Sequence, residues 1–158
     1  ASSWEKDTSC EILTSETSDD DQRVIICKPT RYMNDQGICL VGAAKKYGLN
    51  ISNDVLVLHD DLDLPLGKIR LKHSGSPPSH NGLISVRESI MSDLFWRLRV
   101  GIESRIDRKS VSGEDFVLGD FTVEELETLK PVIGRTVEII RLWIADQCQR
   151  AIHLTTKF

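Results

Sequence analysis

The sequence predicts an α/β fold: a single three-layer domain with a mixed, mostly parallel central sheet and helices on both faces. Three observations carry this. Short apolar runs of strand length, Val24-Ile25-Ile26 and Val55-Leu56-Val57-Leu58, stand apart from segments whose apolar residues recur every three or four positions. The two kinds of segment are interspersed along the chain. The 158 residues, 40% hydrophobic and 28% charged, suit one globular domain over residues 1–158.

Taken in order, Glu11-Ile12-Leu13-Thr14 and Arg23-Val24-Ile25-Ile26-Cys27 flank a polar stretch, Ser15 to Gln22, which predicts a hairpin with a solvated loop. Asn34 stands as the N-cap of a helix carrying Ile38, Val41 and Ala44 on one stripe and ending near Gly48. Val55 to Leu58 has the continuous apolar pattern of a strand buried on both faces, and Lys68 to Lys72 is a second, alternating strand. A helix starts around His80 with Leu83, Val86 and Ile90 on one face, and strand Trp96 to Ile102 turns Leu98, Val100 and Ile102 inward with Arg97 and Arg99 outward. Thr122-Val123-Glu124-Glu125 is a capping box. It opens a long core helix through Leu126, Leu129, Ile133, Val137, Ile140 and Ile144, broken or bent at Pro131.

The formal net charge of -4 is unevenly spread: residues 1–21 carry -6 and the remainder +2. A mildly basic body with a basic strand is compatible with phosphate binding. Cys10, Cys27, Cys39 and Cys148 have neither Cys-x-x-Cys nor metal-ligand spacing, which predicts reduced thiols in an intracellular compartment and no zinc site. No apolar run reaches the ~20 residues of a membrane helix, so the chain is expected to be soluble and to have no membrane partner.

The most informative stretch runs from His59 to Gly82. His59-Asp60-Asp61-Leu62-Asp63 follows the apolar strand, and a site at the carboxyl edge of a sheet is where open α/β folds keep their ligands. Asp60, the first of the three carboxylates, is expected to be the least solvated and the best placed to orient an imidazole, fixing its tautomer and favouring its protonated form. Two other readings stay open: Asp60 as a turn cap, and Asp60, Asp61 and Asp63 as oxygen ligands for Mg²⁺. Lys68, Arg70 and Lys72 share one face of an extended strand while Ile69 and Leu71 face inward, giving either a solvated face or a contact for RNA phosphates, to which Arg97 and Arg99 could add. Asn34 and Asn81 each sit at a helix start, where an amide either caps the helix or grips a ligand with its donor and acceptor together.

Lys28-Pro29-Thr30-Arg31-Tyr32-Met33-Asn34, His59 through Gly67, Ser79 through Gly82 and Phe95 through Ile102 resemble, in order and spacing, segments of the bacterial-type peptidyl-tRNA hydrolases. The resemblance spans roughly residues 10–145. It implies the same α/β fold, hydrolysis of the ester between peptide and tRNA, no cofactor and no metal. It further implies catalytic roles for Asp60, which would hold a histidine base, and for Asn81. Tyr32, Met33, Asn34 and Asn81 would form the substrate wall, and Lys68, Arg70 and Lys72 would contact tRNA phosphates. Partners implied are peptidyl-tRNA and the ribosome, for a monomer in the cytoplasm or, in a eukaryote, a mitochondrion or plastid.

The resemblance also breaks. The family's opening strand, its Gly-Asn-Pro-Gly turn and the Thr-Arg-His-Asn segment bearing the general base have no counterpart here, which predicts an N-terminally incomplete domain, weakly active or inactive alone. The glycine-rich loop before His80-Asn81-Gly82 is replaced by Ser74-Gly75-Ser76-Pro77-Pro78-Ser79, and the Gly-Arg-Pro after Ile102 by Glu103-Ser104-Arg105. A catalytically inactive RNA-binding or ribosome-associated protein is the alternative these departures allow.

Overall fold

A computed structural model describes residues 3–19, 22–75 and 80–156. The chain forms two compact units, one built from residues up to Val57 together with His73–Trp96, the other from Leu58–Lys72 together with residues from Arg97 onward.

In the first unit, β1 (Glu5–Asp7), β2 (Ile12–Asp19) and β3 (Gln22–Pro29) form an antiparallel sheet in that order. The ladder between β2 and β3 runs from Ile12↔Pro29 to Asp19↔Gln22, so Ser15 to Asp19 is strand where a loop was expected. Asp20 and Asp21 lie outside the described residues. A short 3-10 turn, Met33–Asp35, leads into α1 (Gln36–Tyr47). Gly48 ends α1 in the left-handed conformation expected of a C-terminal glycine. Cys39 and Ala43 of α1 pack on Ile12, while α2 (Ile51–Asp54) and α3 (Asn81–Ile90) belong to a second cluster of Leu83, Val86 and Phe95 with Leu40, Ile51, Val57 and Ile90 around it. A close approach joins α1 to α3: Gly37 N–H donates to Ser85 Oγ at 3.0 Å, and a Cβ at Gly37 would run into the Ser85 carbonyl. The acidic start of the chain is matched by bases of its own unit, with Asp7 on Lys46, Glu11 on Arg31 and Glu16 on Arg23.

The second unit holds the sheet β4 (Leu56–Pro65), β6 (Trp96–Glu103) and β5 (Ile69–Lys72), in the order β4-β6-β5 with β5 and β6 antiparallel. α4 (Gly113–Val117), α5 (Val123–Ile144) and α6 (Cys148–Thr156) complete it, and α6 packs on both α5 and β5. The α/β class expected from the sequence is observed. Among the described residues the strands form two three-stranded sheets, and the β1-β2-β3 meander is antiparallel because short connections cannot carry the crossover that parallel neighbours need.

Two local expectations are corrected. The capping box forms, with Thr122 Oγ1 accepting from Glu125 N–H and the Glu125 carboxylate accepting from Thr122 N–H, but α5 continues through Pro131. Its buried stripe is Val132, Thr136 and Ile139, whereas Leu126, Ile133 and Val137 are exposed. The helix carries two adjacent apolar stripes, and spacing alone does not say which one is covered. No helix among the described residues is long and apolar enough to cross a membrane.

Candidate active site

The first unit brings Tyr32, Met33 and Asn34 to the N-terminus of α3. The 3-10 turn that carries Met33 and Asn34 packs on α3, and a Cβ at Gly82 would lie 2.6 Å from Met33 Sδ and 3.0 Å from His80 Cε1, so a larger residue at position 82 would displace the Met33 side chain. Neither asparagine caps its helix. Asp35 precedes α1 without a side-chain cap bond, and α3 is capped by His80, whose Nδ1 accepts from Leu83 N–H at 3.3 Å. An accepting Nδ1 places the proton of the neutral ring on Nε2. Asn34 and Asn81 are both exposed, and neither side-chain amide has a hydrogen-bond partner among the described residues. Tyr32 is 88% exposed and borders an open concavity lined by Glu11, Thr30, Arg31 and Asp35.

The second unit holds the acidic segment, which is not a turn. β4 runs on to Pro65, so Asp60, Asp61 and Asp63 lie on a strand where side chains alternate between faces. Asp61, not Asp60, is the least solvated of the three: it is 2% exposed, and Asp60 is half-buried. A buried carboxylate needs partners. Asp61 has them in Arg99 Nε, which donates to Oδ2 at 2.5 Å, and Asp63 N–H, which donates to Oδ1 at 2.8 Å. This ion pair removes Asp61 from the set of ligands a Mg²⁺ site would need, and no three His, Cys, Asp or Glu side chains converge among the described residues. His59 is buried, and its Nδ1–H donates to the Asp60 carbonyl at 2.6 Å, which fixes the ring orientation beside Asp60.

The basic strand keeps its alternation, with Ile69 and Leu71 fully inward, but its cations differ in use. Lys68 and Lys72 are exposed. Arg70 is half-buried and its Nη1 donates to the Thr155 carbonyl at 2.7 Å and to its own neighbour Ile69 O at 2.8 Å, closing the last turn of α6. A cation satisfying helix-end carbonyls serves the fold. Arg97 is 2% exposed and Arg99 is committed to Asp61, so β6 adds no cation to the stripe, and the wet face expected of that strand is absent. β6 is the central strand of its sheet, and both its faces are largely covered.

Glu103, which follows Ile102 where the family pattern has glycine, is buried and accepts from Arg105 Nη2 at 2.7 Å, Arg105 Nε at 3.0 Å and Arg105 N–H at 3.0 Å, with Arg108 at 3.2 Å. The Arg105 guanidinium holds its carboxyl down to about 2, against the opposing effect of burial. Arg105 then reaches Val111 O at 2.9 Å and covers the Phe116 ring, pinning the segment that leads to α4. This network was not legible in the sequence, because its spacing matches no cap or motif. The loop 76–79, with both prolines and Ser79, lies outside the described residues.

The family model for peptidyl-tRNA hydrolase matches residues 1–157. A peptidyl-tRNA hydrolase of Desulfitobacterium hafniense (strain Y51) is 34% identical over 145 residues, covering 90% of this chain and 75% of that protein. One from Geobacillus kaustophilus (strain HTA426) is 40% identical over 131 residues, covering 83% of this chain and 64% of that protein. The crystal structure of peptidyl-tRNA hydrolase from Acinetobacter baumannii superposes with a TM-score of 0.85 at 27% identity, covering 98% of this chain and 76% of that one. With four sequence segments in order, the matching fold and these relatives in agreement, the chain belongs to the peptidyl-tRNA hydrolase family.

Proposed function

We propose that the protein hydrolyses peptidyl-tRNA, cleaving the ester between a peptide and the 3′ ribose of tRNA, with residues 1–158 forming one domain of that activity. The observation that carries the reading is the pair of exposed asparagine amides, Asn34 and Asn81, on two elements packed against each other and without a side-chain partner among the described residues. An amide donates and accepts at once, which suits a peptide backbone and a water molecule alike. In this reading Tyr32, Met33 and Asn34 receive the peptide, and Asn81 positions the water and polarises the ester carbonyl. Water adds to the carbonyl carbon, its proton passes to a histidine base, and the ribose 3′ oxygen leaves with a proton returned from that base. Asp60 is proposed to orient the base and stabilise its cationic form.

No Thr-Arg-His segment occurs in these 158 residues, so the base of this scheme is not assigned to His59, His73, His80 or His153. A lost general base typically lowers the rate by ~10² to 10⁴, and residues 1–158 alone are expected to turn over N-blocked aminoacyl-tRNA that weakly. Asn34→Ala and Asn81→Ala, made in a chain that includes whatever native residues precede Ala1, test the reading directly. Each is expected to lower kcat/KM about tenfold and to leave the melting temperature unchanged. Family-like turnover by residues 1–158 that disappears in His59→Ala or His80→Ala would reassign the base.

A further inference from the structure

Among the described residues, Met91 (φ 51°) and Asp146 (φ 55°) adopt left-handed backbone where α3 and α5 end, the ordinary way a helix terminates. Glu11 (φ 52°) has the same conformation for a different reason: it closes the loop between β1 and β2. Hairpin loops of this kind use glycine or asparagine at such a position, because a longer side chain meets its own backbone there. Glutamate is therefore a poor choice for the turn, and its side chain must account for it.

That side chain holds Arg31. Glu11 Oε1 accepts from Arg31 Nη2 at 2.9 Å and Oε2 accepts from Arg31 Nε, a two-pronged pair that lowers the Glu11 pKa and raises that of Arg31. The Glu11 carbonyl accepts from Thr30 N–H at 2.9 Å and from Thr30 Oγ1 at 2.7 Å. Glu11 thus grips two consecutive residues, Thr30 and Arg31, and the next three are Tyr32, Met33 and Asn34. On the far side of those three, Asp35 Oδ2 lies 3.7 Å from Arg31 Nη1, so the substrate wall is bracketed by one guanidinium. The side chains of Glu11 and Arg31 are 45% and 35% exposed, so water screens the pair, and its two-pronged geometry fixes where the guanidinium lies. Left-handed backbone at a residue other than glycine or asparagine is often found where local geometry serves function.

We propose that Glu11 is a positioning residue for peptide recognition: through Thr30 and Arg31 it fixes the backbone that presents Tyr32 and Asn34 to the peptidyl part of the substrate. The inference deepens the peptidyl-tRNA reading and rests on it. Glu11 touches no substrate itself. Glycine at position 11 relieves the backbone but cannot hold Arg31, so recognition and stability should move in opposite directions.

The test is an NMR titration of the full chain with N-acetylphenylalanyl-3′-amino-3′-deoxyadenosine, whose amide replaces the scissile ester, following the Asn34 and Asn81 side-chain amides. Glu11→Gly is expected to weaken binding about three- to tenfold with a melting temperature equal to or above that of the parent. Arg31→Ala should weaken it by the same factor, the double variant no further than either single one, and Glu11→Gln should recover part of the loss by keeping an acceptor. Parent-like binding by Glu11→Gly and Arg31→Ala, while Asn34→Ala binds weakly, would overturn the positioning role and leave the substrate wall standing. So would a loss in Glu11→Gly that only follows a fall in melting temperature. A parent chain whose Asn34 and Asn81 resonances ignore the analogue would remove the reading of the wall, and the role of Glu11 with it.

Discussion

Both units pair their charges internally, but the segments singled out in each differ in what their polar residues touch. Around Asn34 and Asn81 the first unit leaves uncharged amides exposed and, among the described residues, unpartnered, a few residues after Thr30, which donates to the Glu11 carbonyl. Around Asp61 the second unit spends its charges on itself: Asp61 on Arg99, Glu103 on Arg105 and Arg108, Arg70 on the end of α6. The difference follows from desolvation. A buried charge without a partner costs several kcal/mol, so charges near a core are paired by the fold before any ligand arrives, whereas an exposed amide can wait for a ligand at almost no cost. In this protein the density of charge in the sequence marks where the fold is being held, and the isolated asparagines mark where a substrate could be.

Asp60 is the residue that would break this comparison most sharply, since it is the one carboxylate of the acidic strand proposed to act on chemistry. In a chain carrying whatever native residues precede Ala1, Asp60→Asn keeps the size and removes the charge that favours an imidazolium. Turnover is expected to fall by roughly 10² to 10⁴ with KM little changed, and the pKa of the base histidine, followed by NMR, to drop. Asp63→Asn, on an exposed side chain, should stay near the parent. Equal kinetic losses at both positions would return the segment to a metal-site or generic electrostatic reading.

Asp61→Asn is expected to act on stability and not on chemistry. It leaves Arg99, only 16% exposed, without its carboxylate, which should cost about 3 kcal/mol and lower Tm by roughly 10 °C for a chain of this size. A variant that keeps its Tm but loses kcat would place Asp61 in the mechanism and undo the division between the units.

Much of this was legible beforehand, and what was not has a physical cause. The Thr122–Glu125 box, the Gly48 stop and the inward Ile69 and Leu71 were readable because each depends on contacts within a few residues. The four ordered segments identified the family for the same reason, being local patterns at fixed spacing. The burial of Arg97, the pairing of Asp61 with Arg99 across strands and the choice of stripe on α5 depend on residues distant in sequence, and periodicity carries no record of them. The extension of β4 through three carboxylates was missed because such a run is unfavourable for a strand until Arg99 on the neighbouring strand pairs with Asp61. Of the candidate site, the identities of Asn34 and Asn81 could be read, but not that His80 takes the capping role and frees Asn81 from it.

Glu103 gives the comparison a pH dependence. Its carboxyl titrates at about 2 in the folded chain, below the ordinary value of 4.5. A depressed folded pKa stabilises the native state fully above the unfolded value and loses that contribution as pH falls toward the folded one. The parent is therefore expected to lose stability between about pH 5 and pH 2, and Glu103→Gln, already less stable by about 2 kcal/mol at neutral pH, should show a flatter acid limb in thermal melts. Parallel acid limbs would mean that other carboxylates dominate acid unfolding.

The smallest expected effect concerns the basic strand, where the two kinds of use meet within five residues. Lys68 and Lys72 are exposed, whereas Arg70 closes α6. If the exposed pair meets tRNA phosphates, each replacement by Ala releases one fewer counterion on binding, so the slope of log K against log salt should shallow by about one unit per lysine and to a similar extent for different tRNA sequences. Arg70→Ala should instead lower Tm by loosening the end of α6 and leave the slope near that of the parent. Measured by tRNA titration at several salt concentrations, an unchanged slope in both lysine variants would make the stripe an ordinary solvated face. A slope change confined to Arg70→Ala would show that its guanidinium leaves the Thr155 carbonyl when RNA binds, and that the second unit, too, keeps a charge in reserve for substrate.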